Sequence, residues 1–160
     1  DKSIDFLFKV KKSKYSAEVA ALISAAYGKK SSLSTIKAIY FGIKARDYIY
    51  EANAMDSANI KVYLIAATHL MHTPESLGGD KKWAEGLLNK ALKMIYKLDK
   101  KDDNSVDWAS EQEIYAYLAQ LEILKENKDK AKLYIDKALS IFPDYGFVLY
   151  DLIPQLKKLK

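Results

Sequence analysis

The fold is decided by a phrase that the chain carries three times, as ARDYIYEA at residues 45–52, AEGLLNKA at 84–91 and AKLYIDKA at 131–138. In each copy two alanines flank an Ile or Leu, at spacings of four and then three residues. This spacing places the three side chains on one face of a helix. Because small residues let a neighbouring helix approach closely, the repeated phrase predicts an array of packed helices.

Two further segments share a second pattern, in which residues follow an aromatic side chain at offsets of three, four and seven. These sets are Tyr63, Ala66, Ala67, Leu70 and Tyr115, Leu118, Ala119, Glu122. With Pro143 after the third phrase, the chain resembles the tetratricopeptide repeat (TPR) family, whose units pair an aromatic-bearing first helix with an alanine-bearing second helix. The resemblance assigns these structural repeat positions: Ala45, Ile49, Ala52, Tyr63, Ala67, Ala84, Leu88, Ala91, Tyr115, Ala119, Ala131, Ile135, Ala138 and Pro143.

The resemblance implies an all-α fold of antiparallel helix pairs, stacked as a TPR-like right-handed superhelix in one domain, 1–160. Its units span about 16–57, 59–98 and 108–143, and a C-terminal helix at 146–159 caps the stack. Equivalent alanines lie 39 and 47 residues apart, which exceeds the regular repeat of about 34. The excess residues fall in the loop 72–80 and the polar stretch 99–105. The Pro-x-x-x-Gly-Gly-Asp loop is similar to loops of irregular bacterial exported repeat proteins.

Periodicity and end signals predict eight helical segments. Ser110 with Glu113 forms a capping-box pattern, Asp80 and Asp129 are expected N-caps, and Pro143 is expected to end the penultimate helix. The predicted segments are 4–10, 17–27, 33–54, 59–71, 81–98, 110–126, 130–141 and 146–159.

The resemblance also implies a binding surface, because the first helix of each TPR unit lines a concave groove. The groove residues are then Lys61, Leu64, Ile65, Thr68, His72, Glu113, Ala116, Tyr117, Gln120 and Leu124. This mainly apolar set favours a non-catalytic scaffold for protein–protein interaction that binds a protein or peptide segment. The alternative function is an exported accessory protein that holds a small apolar ligand for a periplasmic transporter. A structural alternative buries Leu64, Ile65 and Tyr117 against neighbouring helices.

The net charge of +5 comes almost entirely from lysine, since 25 of the 26 basic residues are Lys and one is Arg46. Arginine is the residue that reads nucleic-acid bases, so this composition argues against a nucleic-acid partner. A solvated lysine surface is the first interpretation, and a nucleic-acid or anionic-lipid surface at the terminal clusters 9–14 and 157–160 is the alternative.

Catalytic and cofactor chemistry finds little support in the sequence. The chain has no cysteine and two histidines, so it is predicted not to be an enzyme and to need no metal or cofactor. His69 and His72, with Glu75 and Asp80 nearby, suit a zinc site by residue type, but a packed or solvent-facing helix terminus is the preferred explanation. The start at Asp1 rather than Met suggests that an upstream segment was cleaved or omitted, which favours the bacterial periplasm or cell envelope over the cytoplasm. No apolar run is long enough to span a bilayer.

Overall fold

The computed structural model describes residues 2–34, 36–98 and 110–159. Throughout these ranges the regular structure is helical and contains no strand. The all-α prediction is therefore confirmed at the level of packed helix pairs. The predicted insertion at 99–105 and the predicted start of the third repeat unit at 108 lie outside the described residues.

The helix bounds agree with the predicted segments to within three residues except between the second and third helices. There the second helix continues through Gly28 to Ser32, and the third begins only at Ala38. The helices are α1 Lys2–Ser13, α2 Ala17–Ser32, α3 Ala38–Met55, α4 Ile60–His72, α5 Lys81–Leu98, α6 Glu111–Leu124, α7 Lys128–Ile141 and α8 Ile153–Leu156, with a 3-10 turn at Glu75–Leu77 and a π-helix at Phe147–Leu152.

The chain forms two compact units, Asp1–Asp80 and Lys81–Lys160. In the first unit α2 and α3 are antiparallel, since residues later in α2 form hydrogen bonds with residues earlier in α3. The Ser24 hydroxyl donates to the Ala45 carbonyl at 2.7 Å, and the Ser31 hydroxyl donates to the Ala38 carbonyl at 2.7 Å. These bonds fix the register of the α2–α3 hairpin.

The repeated alanines are buried, as the helical phrase predicts. In the first unit, α2, α3 and α4 share a core cluster that includes Ala20, Ile49, Ala52 and Val62. Small side chains there bring the helix backbones close together, which is why the phrase carries alanine at these positions. All six alanines of the phrase have no exposed surface: Ala45, Ala52, Ala84, Ala91, Ala131 and Ala138.

The inserted loop after α4 folds back on the end of that helix. The backbone N–H of Asp80 donates to the Leu70 carbonyl at 3.2 Å, and that of Gly79 donates to the Pro74 carbonyl at 3.0 Å. A Cβ atom added to Gly79 would lie 1.8 Å from the Thr73 carbonyl oxygen, so this close approach requires glycine.

In the second unit α5 and α6 are antiparallel. The Lys81 ammonium donates to the Leu124 carbonyl at 2.9 Å, whereas the Tyr96 hydroxyl near the far end of α5 donates to Glu111 at 2.7 Å. A tight turn then leads into α7, whose N-cap is Asn127. The N-cap prediction for Asp129 is therefore wrong, since α7 begins one residue before it, at Lys128.

Only one of the two reciprocal hydrogen bonds of the predicted capping box forms at the start of α6. Glu113 accepts the backbone N–H of Ser110, but the Ser110 side chain makes no capping hydrogen bond. At the other end of the pair, α7 ends at Ile141, two residues before Pro143, as predicted.

The C-terminal segment is helical, as the predicted cap requires, but its first part is a π-helix. The N–H of Ile153 donates to the carbonyl of Val148, five residues earlier, and Pro154 follows in the first turn of α8. A proline has no N–H, so a regular α-helical ladder cannot run through this point. Val148 and Leu152 are buried. The superhelix and the three repeat units stay predictions.

Candidate functional site

The predicted groove helices, α4 and α6, are buried around most of their circumference. Leu64 is 1% exposed and Ala116 is not exposed at all, so their assignment to an open groove is wrong. A helix that is apolar on all sides lies at the centre of its packing group rather than at a surface. The buried residues of α4 are Val62, Tyr63, Leu64, Ala67, Leu70 and Met71, and those of α6 are Ile114, Tyr115, Ala116, Leu118, Ala119, Leu121, Glu122 and Ile123.

The other predicted groove residues of α4 are engaged within the first unit. Ile65 packs against the core cluster, as the structural alternative predicted. The Lys61 ammonium donates to Glu18 at 3.2 Å, and the Thr68 hydroxyl donates to the Leu64 carbonyl at 2.8 Å. His72 is exposed at the end of the helix.

On α6 the remaining predicted residues form one half-buried stripe. Glu113, Tyr117, Gln120 and Leu124 follow one another at spacings of four, three and four, which keeps them on one helical face. The C-terminal segment covers part of this face, because the Phe147 ring contacts the Tyr117 ring at a centroid distance of 6.1 Å. The stripe is therefore part of a surface that α6 and the C-terminal segment build together.

Four aromatic rings meet on this surface and form a continuous chain of contacts. From Phe147, which contacts Tyr117, the chain continues to Tyr145 at 6.2 Å and then to Phe142 at 6.0 Å. Phe142 is 47% exposed, while the other three rings are half-buried. We call Glu113, Tyr117, Phe142, Tyr145 and Phe147 the α6 aromatic site.

Glu113 is the titratable group of the α6 aromatic site. Burial raises the pKa of its carboxyl to about 7, although hydrogen bonds from the Tyr117 hydroxyl and the Ser110 N–H act in the opposite direction. Burial and the charge of Glu113 also raise the pKa of Tyr145 to about 12. Burial thus favours the neutral form of Glu113, whereas the two hydrogen bonds favour its ionised form.

We expect Glu113 to make the folded chain less stable as the pH rises. Between its ordinary pKa of 4.5 and the raised pKa of about 7, the folded chain keeps a proton that the unfolded chain releases. The free energy of unfolding therefore falls across this window and stays lower above it. Glu113→Gln removes the titrating group and should raise the free energy of unfolding at pH 8 by about 1 kcal/mol, allowing for solvent screening of a half-exposed carboxyl.

Urea unfolding at pH 4, 6 and 8, followed by circular dichroism, measures this effect. Glu126→Gln is the matched control, because Glu126 is exposed after α6. A difference between wild type and Glu113→Gln that stays constant with pH would contradict the assignment.

The histidine pair does not build a metal centre in the part of the chain that the structure describes. His69 is half-buried, and burial together with Arg46 lowers its pKa, whereas His72 is exposed. Within residues 2–34, 36–98 and 110–159, no three His, Asp or Glu side chains are grouped closely enough to hold a metal ion.

A cavity of about 470 Å³ opens in the first unit where α2 and α4 begin. Its lining is mainly polar and carries both charges, including Lys14, Glu18 and Asp56. Small-molecule sites are mostly enclosed and apolar. This open, polar cavity therefore does not match the small apolar ligand of the alternative function.

An exposed apolar surface at the turn between α2 and α3 was missed by the sequence interpretation. Its side chains are Leu33, Ile36, Ile39, Tyr40 and Ile43, which are 75%, 96%, 64%, 57% and 43% exposed. We call these five residues the α2–α3 tip. The spacing 36, 39, 40, 43 is that of an apolar helical face, but the same spacing describes a buried face equally well.

No described helix combines the length and the apolar character needed to cross a bilayer. Comparison of the chain with protein-family models, curated proteins and solved structures finds no match. The TPR resemblance therefore stays a prediction from the residues quoted above.

Proposed function

We propose that this chain is a non-catalytic binding scaffold that engages a protein segment through the α6 aromatic site. The observation that carries the proposal is the chain of four contacting rings, half-buried or exposed, along the junction of α6 and the C-terminal segment. Tyrosine and phenylalanine are enriched at the centres of protein interfaces, where they supply contact area at a low entropic cost.

The chemistry of the site indicates what kind of segment it would bind. The rings would receive an apolar anchor side chain, while Glu113 and Gln120 on the same stripe would accept hydrogen bonds from the backbone or side chains of the segment. A donor that approaches Glu113 would also compensate the cost of burying its charge. The expected partner is thus a segment with an apolar side chain next to hydrogen-bond donors.

A displayed library of random peptides, selected on the purified chain, tests this function with a defined probe. Peptides selected on the wild type should bind Tyr117→Ala about tenfold more weakly by calorimetry, because the Tyr117 ring is the one through which α6 joins the ring contacts. The matched control is Tyr50→Ala, which removes an exposed tyrosine from α3. The proposal fails if no peptide family is enriched, or if both variants bind the selected peptides equally well.

A further inference from the structure

The α2–α3 tip lies in the part of the sequence with the most one-sided charge. Residues 19–46 contain four lysines and Arg46 and no acidic residue. Lys29 and Lys37 are exposed beside the apolar side chains. The Lys30 ammonium lies 4.8 Å from the ring centroid of Phe41, and the Lys44 ammonium lies 6.0 Å from that of Tyr40. The exposed aliphatic side chains therefore belong to a segment whose charged residues are all basic.

The tip is held in place by the structure beneath it. The Ser31–Ala38 hydrogen bond closes the hairpin at the turn, and the Ser34 hydroxyl accepts the backbone N–H of Lys37 at 3.1 Å. Below the turn, Tyr27 stacks on Phe41 at a centroid distance of 6.2 Å. These contacts tie the ends of α2 and α3 together directly beneath the exposed apolar side chains.

We propose that the α2–α3 tip docks onto membrane surfaces that contain anionic lipid. In this arrangement Leu33, Ile36 and Ile39 enter the boundary between headgroups and acyl chains. The lysines around them contact the anionic headgroups, and Tyr40 lies at headgroup level, where amphipathic rings are favoured.

The geometry favours a lipid surface over an acidic protein segment. Helical and proline-rich protein segments dock in grooves, whereas the tip side chains belong to the end of one hairpin, on the turn and the first two turns of α3. A planar bilayer can accept a projecting end, and it offers negative charge on all sides of the inserted side chains. The sequence interpretation had placed such a lipid surface at the terminal lysine clusters instead. This inference does not depend on the α6 aromatic site, which uses other residues.

Co-sedimentation with vesicles tests the docking directly. The probes are vesicles of phosphatidylcholine alone and of an equimolar mixture of phosphatidylcholine and phosphatidylglycerol. The wild type should bind the mixed vesicles, bind phosphatidylcholine weakly, and dissociate as salt is added. Ile36→Asp/Ile39→Asp should reduce partitioning into the mixed vesicles about tenfold or more. The matched control is Tyr50→Asp/Met55→Asp, which makes the same charge change at two exposed positions near the other end of α3 and should bind as the wild type does.

A second measurement does not depend on acidic substitutions. Because the chain has no cysteine, Ile36→Cys can be labelled with an environment-sensitive fluorophore at a single position, and Tyr50→Cys supplies the control label. Emission from the label at position 36 should shift to the blue on the mixed vesicles, while emission from position 50 should not change.

Three results would overturn the proposal. They are an absence of binding to the mixed vesicles, an equal loss of binding in both double variants, and an unchanged emission from the label at position 36. If a Glu-rich amphipathic peptide binds the chain through Ile36 and Ile39 while the vesicles do not, the partner of the tip is an acidic protein segment.

Discussion

Replacement of Lys125 by methionine should destabilise the second unit by about 3 kcal/mol. The reason is Glu122, which lies on α6 and is only 1% exposed. The Lys125 ammonium lies 3.0 Å from the Glu122 carboxylate and 2.5 Å from the Glu85 carboxylate on α5. Burial lowers the pKa of Lys125, but these two carboxylates outweigh burial and raise it. Without the ammonium, Glu122 would be a buried charge that has lost this counterion.

Urea unfolding separates the loss of the counterion from the loss of lysine packing. The four proteins compared are the wild type, Lys125→Met, Lys125→Met/Glu122→Gln and Lys132→Met. Lys125→Met/Glu122→Gln should recover most of the stability that Lys125→Met loses, because the buried residue is then neutral. Lys132→Met is the matched control on the exposed side of α7, and it should change the free energy of unfolding by less than about 0.5 kcal/mol. Equal stabilities of Lys125→Met and Lys132→Met would show that Glu122 does not need this partner.

Leu64→Asp should unfold the first unit, with a loss of at least about 4 kcal/mol. Leu64 is 1% exposed and lies among the buried residues of α4. The substitution removes a large apolar side chain and places a carboxylate in the core, so the packing and solvation costs add.

The matched control carries the same substitution at an exposed position of the same unit. Ile36 is 96% exposed, so Ile36→Asp should leave the thermal midpoint nearly unchanged. Thermal unfolding followed by circular dichroism compares the two variants. A folded Leu64→Asp protein with the thermal midpoint of the wild type would show that Leu64 is accessible, as the predicted groove requires.

The repeated phrase predicted the helix contacts well because small residues at helical spacing are typical of positions where two helices pack closely. Ala45, Ala84 and Ala131 are all buried, as expected of positions where helices approach closely. The helix ends were predicted less well. The predicted second segment ended at residue 27, just before Gly28, but α2 continues to Ser32, since one glycine inside a helix costs only about 1 kcal/mol.

Leu64 and Ala116 were wrongly assigned to an open groove because apolar periodicity does not distinguish a core face from a binding face. On α6 the stripe through Tyr117 is partly open, but Ala116 beside it is buried. On α4 the run from Val62 to Ala67 is apolar on all sides, which is typical of a central helix. Ile36 and Ile39 show the opposite case, a core-like spacing at an exposed tip. The sequence feature that distinguishes Ile36 and Ile39 from core residues is the absence of acidic residues from 19 to 46.

The two serine bonds of the α2–α3 hairpin have a consequence for protein engineering. Ser24 and Ser31 are seven residues apart, as are their acceptors Ala45 and Ala38, so both bonds recur after two helical turns. Sliding one helix along the other would break both bonds at once, while the turn beyond Ser31 lies outside them. Both bonds join the helices themselves, so we expect a foreign loop that replaces residues 33–37 to leave the α2–α3 register unchanged.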